Sequence, residues 1–397
     1  MSKKTWKCMF VYIFIFSFLF LFVGCSNVAS GIEKYLHGVK VRVLLKKASD
    51  KQCIVITSGA WELWAGEKRL QFVPTASQIR LFVHNRKVGI QNLAWDMVRL
   101  VPVQGSYFQI GECLYKGELI VRVVEQKLHV VNCLNIETYL EGVVPFEMPG
   151  SWPEAALAAQ AVIARSYALF EMGKNSGKLY DVVDTVASQV YKGIPHTLSQ
   201  NDYAKIQRVV QGTHGQVLLY NNALFKTFFH STCGGHTANG AEVFGYDRIS
   251  PLSGVCCSYC KDSKHFNWSF SLNVSQWQVF LLTLLKVFNA SAPVQKMHCV
   301  SHPKNHRMLQ LEFLLTDGKK IVIPASKFRE ILGTNVLKST LFSMQFTSEG
   351  VLFQGKGYGH GVGLCQWGAK GLADKGHAYD DILNFYYPGA CIYSLWK

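Results

Sequence analysis

The stretch Ser151-Trp152-Pro153-Glu154-Ala155-Ala156-Leu157-Ala158-Ala159-Gln160-Ala161-Val162-Ile163-Ala164-Arg165-Ser166-Tyr167-Ala168-Leu169-Phe170-Glu171-Met172-Gly173 decides how this chain folds. It is apolar and rich in alanine, the residue that a helix accommodates at least cost. Ser151, followed three residues later by Glu154, has the form of a capping box, in which each side chain satisfies a free backbone N–H at the helix start. Gly173 stands where a left-handed C-cap belongs. The pattern predicts a helix over 152–172. Its many small side chains let neighbouring backbone pack closely on it, which makes it the centre of a fold.

The flanks are of a different kind. Val39, Val41 and Val43 alternate with Lys40 and Arg42, the period of a half-buried strand. Segments 79–83 and 119–131 repeat the theme, the second folding at Glu125-Gln126 into a hairpin. Downstream come a weaker helix over 199–211, a helix over 272–288, strands over 309–315 and 321–323, a short helix over 327–332 and a last helix near 380–385. From Gly355 to Gly376 there are eight glycines in an otherwise aromatic segment, so backbone there closely approaches a ligand or another strand. The expectation is an α+β protein with the alanine-rich helix packed on antiparallel strands. Residues 39–132 form a β-rich flanking unit, 133–270 the core and 271–345 an insertion or second subdomain. A glycine-rich loop within 346–397 completes the cleft.

The chain has 397 residues, 49% of them hydrophobic and 13% aromatic, ample material for a buried core, which excludes a disordered protein. Its 41 Lys and Arg against 26 Asp and Glu give a formal charge of +15. There is no dense Lys/Arg block, which argues against a nucleic-acid site. Lys3, Lys4 and Lys7 precede an apolar run from Cys8 to Val23 broken only by Ser17, the form of an export signal over 1–24. Phe22-Val23-Gly24-Cys25 is similar to a bacterial lipobox, with Cys25 as the lipid-modified first residue. The alternative is an uncleaved membrane anchor, for which the run is slightly short of the roughly 20 residues a span needs. Either reading puts the bulk of the chain at the cell envelope, outside the cytoplasmic membrane and held to it. A diffuse positive field suits an anionic wall polymer or a membrane surface there.

Of twelve cysteines, Cys8 and Cys25 lie in the signal region and only Cys233, Cys256, Cys257 and Cys260 are grouped; Cys53, Cys113, Cys133, Cys299, Cys365 and Cys391 stand alone in apolar or mixed contexts and read as buried thiols. Cys257-Ser258-Tyr259-Cys260 follows Cys233, which lies inside His230-x2-Cys233-x2-His236. Thiolates and imidazole at this spacing suit a structural zinc site of Cys233, Cys257, Cys260 and His230 or His236. A disulfide or simple thiols are the alternatives in an exported chain.

Four segments together resemble one family. They are Tyr139-Leu140-Glu141-Gly142-Val143-Val144-Pro145-Phe146-Glu147-Met148-Pro149 running into the helix; Asp184-Thr185 with Gln189-Val190-Tyr191-Lys192-Gly193; His230-Ser231-Thr232-Cys233-Gly234-Gly235-His236-Thr237; and Gly357-Tyr358-Gly359-His360-Gly361-Val362-Gly363-Leu364-Cys365-Gln366-Trp367-Gly368-Ala369. Lys338-Ser339-Thr340-Leu341-Phe342 fits the same pattern. The chain resembles the stage II sporulation protein D family, which includes the amidase enhancers, over about residues 39–393.

The resemblance implies a lytic transglycosylase acting on peptidoglycan glycan strands stripped of peptide, in cell-wall remodelling. The reaction needs no cofactor and leaves a 1,6-anhydro sugar. The family's catalytic glutamate falls on Glu147, whose neighbours Phe146 and Met148 offer the apolar setting that raises a carboxyl pKa. Gln189, Tyr191, Tyr358, His360, Gln366 and Trp367 are the candidate sugar-binding residues. Zinc-binding members known to carry a His-Cys pair before Gln-Val-Tyr have it where this chain has Ala187-Ser188, so that site is absent. The family's helix lysine is Ala158 here, and its Ser-Pro-x-Tyr is Ser263-Lys264-His265-Phe266. A second reading is therefore a non-catalytic member that binds wall material or an amidase partner and raises the amidase's activity.

Overall fold

A computed structural model of the chain describes Tyr35 and residues 39–103 and 105–396. The export segment 1–24 and Cys25 lie outside the described residues. The architecture is α+β, with mixed helices and several antiparallel sheets.

The N-terminal part of the fold is a pair of sheets. One runs, strand by strand, Val182–Val183, Lys40–Leu44, Lys127–Asn135, Glu118–Val124, Met97–Pro102, Trp61–Ala65 and Lys68–Val73. The other runs Cys113–Tyr115, Tyr107–Ile110, Gln52–Ser58, Gln78–His84, Lys87–Ile90 and Leu93–Trp95. Alternation decides the faces: Val41 and Val43 are buried while Lys40 is exposed. Val55, Leu81 and Val88 of the second sheet join Val98, Val121 and Leu128 of the first in one apolar core. Glu125 and Gln126 turn the 118–135 hairpin with φ of 50° and 63°, the pair of left-handed residues that a tight type I′ turn requires.

The strand ending at Asn135 runs straight into helix α1 (Ile136–Glu141), capped by Asn135 Oδ1 accepting from Glu137 N at 2.8 Å. A single turn, α2 (Val144–Glu147), follows, and then the alanine-rich helix α3 (Glu154–Lys174). The expected capping box is not formed. Pro153, with φ of −57°, is the N-cap residue, and Glu154 turns outward to Arg208 at 2.9 Å. The expected glycine cap also fails: the helix continues through Gly173 and closes at Asn175. From Ala156 to Leu169 every α3 residue is buried, as a helix apolar on all sides must be. It is enclosed by α4 (Gln200–Gly212), by the strand Gln216–Tyr220 and by two C-terminal helices described below.

A one-turn helix α5 (Gly240–Phe244) precedes a second apolar core, built within 268–353 around Phe280, Leu284, Phe313, Phe328 and Phe353. Here two three-stranded sheets carry α6 (Val274–Val287) and α7 (Ala325–Leu332). Leu272, expected to open α6, is still in the strand Asn267–Asn273; Asn273 and Gln276 form the capping box that starts the helix. The chain then returns through the glycine-rich loop to α8 (Gln366–Ala373) and α9 (Tyr379–Tyr386), both packed on α3. Gly359 and Gly363 have φ of 114° and 70°, and a Cβ at Gly363 would lie 1.9 Å from the Phe228 carbonyl oxygen. The close approach expected of these glycines is therefore to the neighbouring strand Phe229–His230, which pairs in parallel with Leu364–Cys365. Among the described residues no helix is long and apolar enough to cross a membrane.

Candidate active site

Glu147 ends the single turn α2, just before the bend into α3, and opens on a cleft of about 590 Å³. Its Oε1 accepts from the backbone N–H of Val190 at 2.7 Å, and its Oε2 receives the Gln366 amide at 3.5 Å. Burial pushes the carboxyl up to about 7, against the lowering effect of those two donors. A carboxyl so placed holds its proton near neutral pH and can deliver it. It is the one carboxyl among the described residues that line the cleft.

The opposite walls come from two loops and the second core. Phe228, Phe244 and Tyr246 supply aromatic faces, and Tyr358 stands beside them with its hydroxyl on Asn335 Oδ1 at 2.9 Å. His360 is wedged among Phe228, His230 and Phe244 at ring separations of 5.7, 5.6 and 5.3 Å. Its Nδ1 accepts from Val362 N at 3.0 Å, which leaves the proton on Nε2, and burial pushes its pKa down to about 3. It is a neutral wall residue. Lys226 reaches the cleft over the rings of Tyr167 and Phe228 while paired with Glu171 at 2.9 Å. Arg329 arrives from α7.

The sequence-predicted residues divide accordingly. Glu147, Tyr358, His360 and Gln366 meet at the cleft. Gln189 and Tyr191 do not. Gln189 is fully buried, accepting from the Tyr139 hydroxyl at 3.0 Å and donating to the Ala164 carbonyl at 3.3 Å. The Tyr191 hydroxyl is likewise buried on Asn132 Oδ1 at 2.7 Å. With both neighbours turned inward as anchors, the Val190 N–H is what faces Glu147. Trp367 packs edge-on against Trp152 at 5.1 Å and is not among the residues that line the cleft. Lys226 and Arg329 belong to no motif, although a lone lysine inside Leu224-Phe225-Lys226-Thr227-Phe228 is a visible signal.

His230 also departs from expectation. Its Nδ1–H donates to the Val362 carbonyl at 3.1 Å, and it is not among the side chains whose ligand atoms gather with Cys233, Cys257 and Cys260. Cys365, read from sequence as a solitary thiol, is the fourth member of that buried cluster. His230 helps to line the cleft, and its buried Nε2 has no hydrogen-bond partner among the described residues.

Residues 124–220 match the family described as stage II sporulation protein, and residues 258–363 match a domain of unknown function. Stage II sporulation protein D of Bacillus subtilis is 31% identical over 333 residues, which cover 81% of this chain and 91% of that protein. The chain belongs to the stage II sporulation protein D family. An uncharacterised protein of Brachyspira hyodysenteriae is 34% identical over 287 residues, covering 72% of this chain and 74% of its own length. The Bacillus subtilis amidase enhancer is 30% identical over 295 residues, covering 64% of this chain and 40% of the enhancer. Membership in the stage II sporulation protein D family supports a role at the cell wall. The matched segment 124–220 contains Glu147, Val190 and the whole of α3.

Proposed function

We propose that the protein is a lytic transglycosylase that cleaves the bond between N-acetylmuramic acid and N-acetylglucosamine in peptide-free glycan strands, with Glu147 as acid and then base. The observation that carries this reading is a cleft with one carboxyl whose pKa burial has raised to about 7. Glycosidases that use water commonly place two carboxyl groups about 5–9.5 Å apart. One carboxyl is enough when the sugar supplies its own nucleophile. Glu147 passes its proton to the leaving glycosidic oxygen as the C1–O bond breaks. The resulting carboxylate then takes the proton of the 6-hydroxyl while that oxygen bonds to C1, which restores the acid and leaves a 1,6-anhydro end. Val190 N–H and the Gln366 amide hold the carboxyl through both steps.

The walls suit the substrate. Phe244, Tyr246 and Tyr358 offer flat faces and hydroxyls for sugar rings. Lys226 and Arg329 offer positive charge to the lactyl carboxylates that muramic acid exposes once its peptide is gone. In this reading the chain works at the envelope, outside the membrane to which residues 1–24 or a lipid on Cys25 hold it. The amidase enhancer's name supports a second reading, in which the cleft binds strands without cutting them and the chain activates an amidase.

Incubating the purified chain with denuded strands and following their shortening tests the proposal; binding without shortening supports the enhancer reading instead. Because the acid must be protonated in the free enzyme, kcat/KM should be flat between about pH 5 and 6. It should fall about tenfold per pH unit above about 7. A profile that rises through pH 7 would assign the proton to another group. His360→Ala should lower kcat/KM by about tenfold, the loss of one wall contact, and cost some stability through the space it leaves among the three rings without unfolding the protein. Full activity in that variant would remove His360 from the site.

A further inference from the structure

We propose that Cys233, Cys257, Cys260 and Cys365 together hold one zinc ion in a tetrahedral four-thiolate site. All four are buried, and their Sγ atoms lie within 4.8 Å of one another. Zinc–sulfur bonds of about 2.3 Å put the corners of a regular tetrahedron about 3.8 Å apart; Cys233 and Cys260 Sγ are 3.4 Å apart. A disulfide joins two sulfurs at about 2.05 Å and gives the other two no reason to converge on the same point. Backbone N–H groups already point at the sulfurs, as they do around metal-bound thiolates. Cys233 N and Gly368 N donate to Cys365 Sγ at 3.2 and 3.3 Å, and Gly235 N donates to Cys233 Sγ at 3.4 Å.

An independent observation comes from Arg307, between two strands of the second core. It is 3% exposed, and its Nη2 donates to the carbonyls of Cys233 and His236 at 2.6 and 2.9 Å. Its Nε and Nη1 have no partner among the described residues. A buried guanidinium without a counter-charge is costly. Zinc with four thiolates carries a net charge of about −2 and supplies that counter-charge. Binding exchanges four S–H bonds for four Zn–S bonds, releases the protons to water and moves no electrons. The ion clasps the 233 loop, the 257–260 turn and the glycine-rich loop. It also fixes Cys365, the residue before Gln366, so it positions the Glu147 partner without entering the cleft. The inference stands whether or not the protein cleaves glycan.

The test is made on the purified full chain by elemental analysis, cobalt(II) exchange and thiol counting after denaturation. The expected result is about one zinc per chain and, with cobalt, the thiolate charge-transfer and tetrahedral d–d bands. Cys365→Ser should lower zinc affinity by at least about tenfold, while Cys299→Ser keeps it. Should Cys365→Ser fail to fold, the cobalt spectrum of the unaltered chain decides alone. A disulfide mapped among the four with under about a tenth of an equivalent of zinc overturns the proposal. A cobalt spectrum without thiolate bands does the same.

Discussion

Glu147→Gln should reduce strand cleavage by at least about a thousandfold and yet make the protein more stable above pH 7. The loss of activity follows because glutamine neither gives nor takes the proton that both steps need. The gain in stability follows from the same burial. Below about pH 4.5 the carboxyl is protonated in both folded and unfolded chains, and the substitution is neutral. Between about 4.5 and 7 the unfolded chain releases the proton that the fold retains, so stability drains away as pH rises. Above about 7 the full cost remains, up to about 3 kcal/mol. Glutamine, neutral throughout, keeps an oxygen for Val190 N–H and escapes that cost. Melting curves at pH 4 and pH 8 read the difference directly. A variant that still cleaves refutes the acid assignment, and one less stable than the parent at pH 8 refutes the ionisation cost.

Arg165→Met should destabilise the fold by about 3–5 kcal/mol and lower the melting temperature by roughly 5 °C. The Arg165 side chain is fully buried inside α3. Its guanidinium makes a two-pronged pair with Glu137 at 2.8 and 2.6 Å and donates to the Gln216 carbonyl at 2.9 Å. One cation thus ties α3 to α1 and to the strand beside it. Methionine fills much of the space but strands the Glu137 carboxylate, which among the described residues keeps the Gly215 N–H at 3.3 Å. Removing that charge as well, in the double variant with Glu137→Leu, should recover a large part of the loss. A single variant that melts within about 2 °C of the parent would show that the pair contributes little.

What sequence reveals here follows the range of each signal. The helix at 154–174 is carried by composition, and the hairpin at Glu125-Gln126 by strand alternation on both sides, so both are legible locally. The cap of α3 is not, because Pro153 sets the helix entry by its own φ and frees Glu154 for Arg208. Gln189 and Tyr191 look like sugar ligands because amides and rings suit sugars, but the fold uses them to brace Val190, whose contribution is a backbone N–H. Cys365 lies more than a hundred residues beyond the other three thiols. Only the parallel pairing of Phe229–His230 with Leu364–Cys365 brings it to them. Arg329 comes from the second core, and no local pattern says which surface of that core faces Glu147.

The most direct test of the account is the chemistry of the cut end. Denuded strands incubated with the full chain in ¹⁸O-enriched water, with products read by mass spectrometry, should yield 1,6-anhydro muramoyl ends that carry no label. New reducing muramic acid ends carrying ¹⁸O, in excess of those in an enzyme-free control in the same water, would contradict it, because they would show that water, not the sugar's own hydroxyl, attacks the carbon that Glu147 activates.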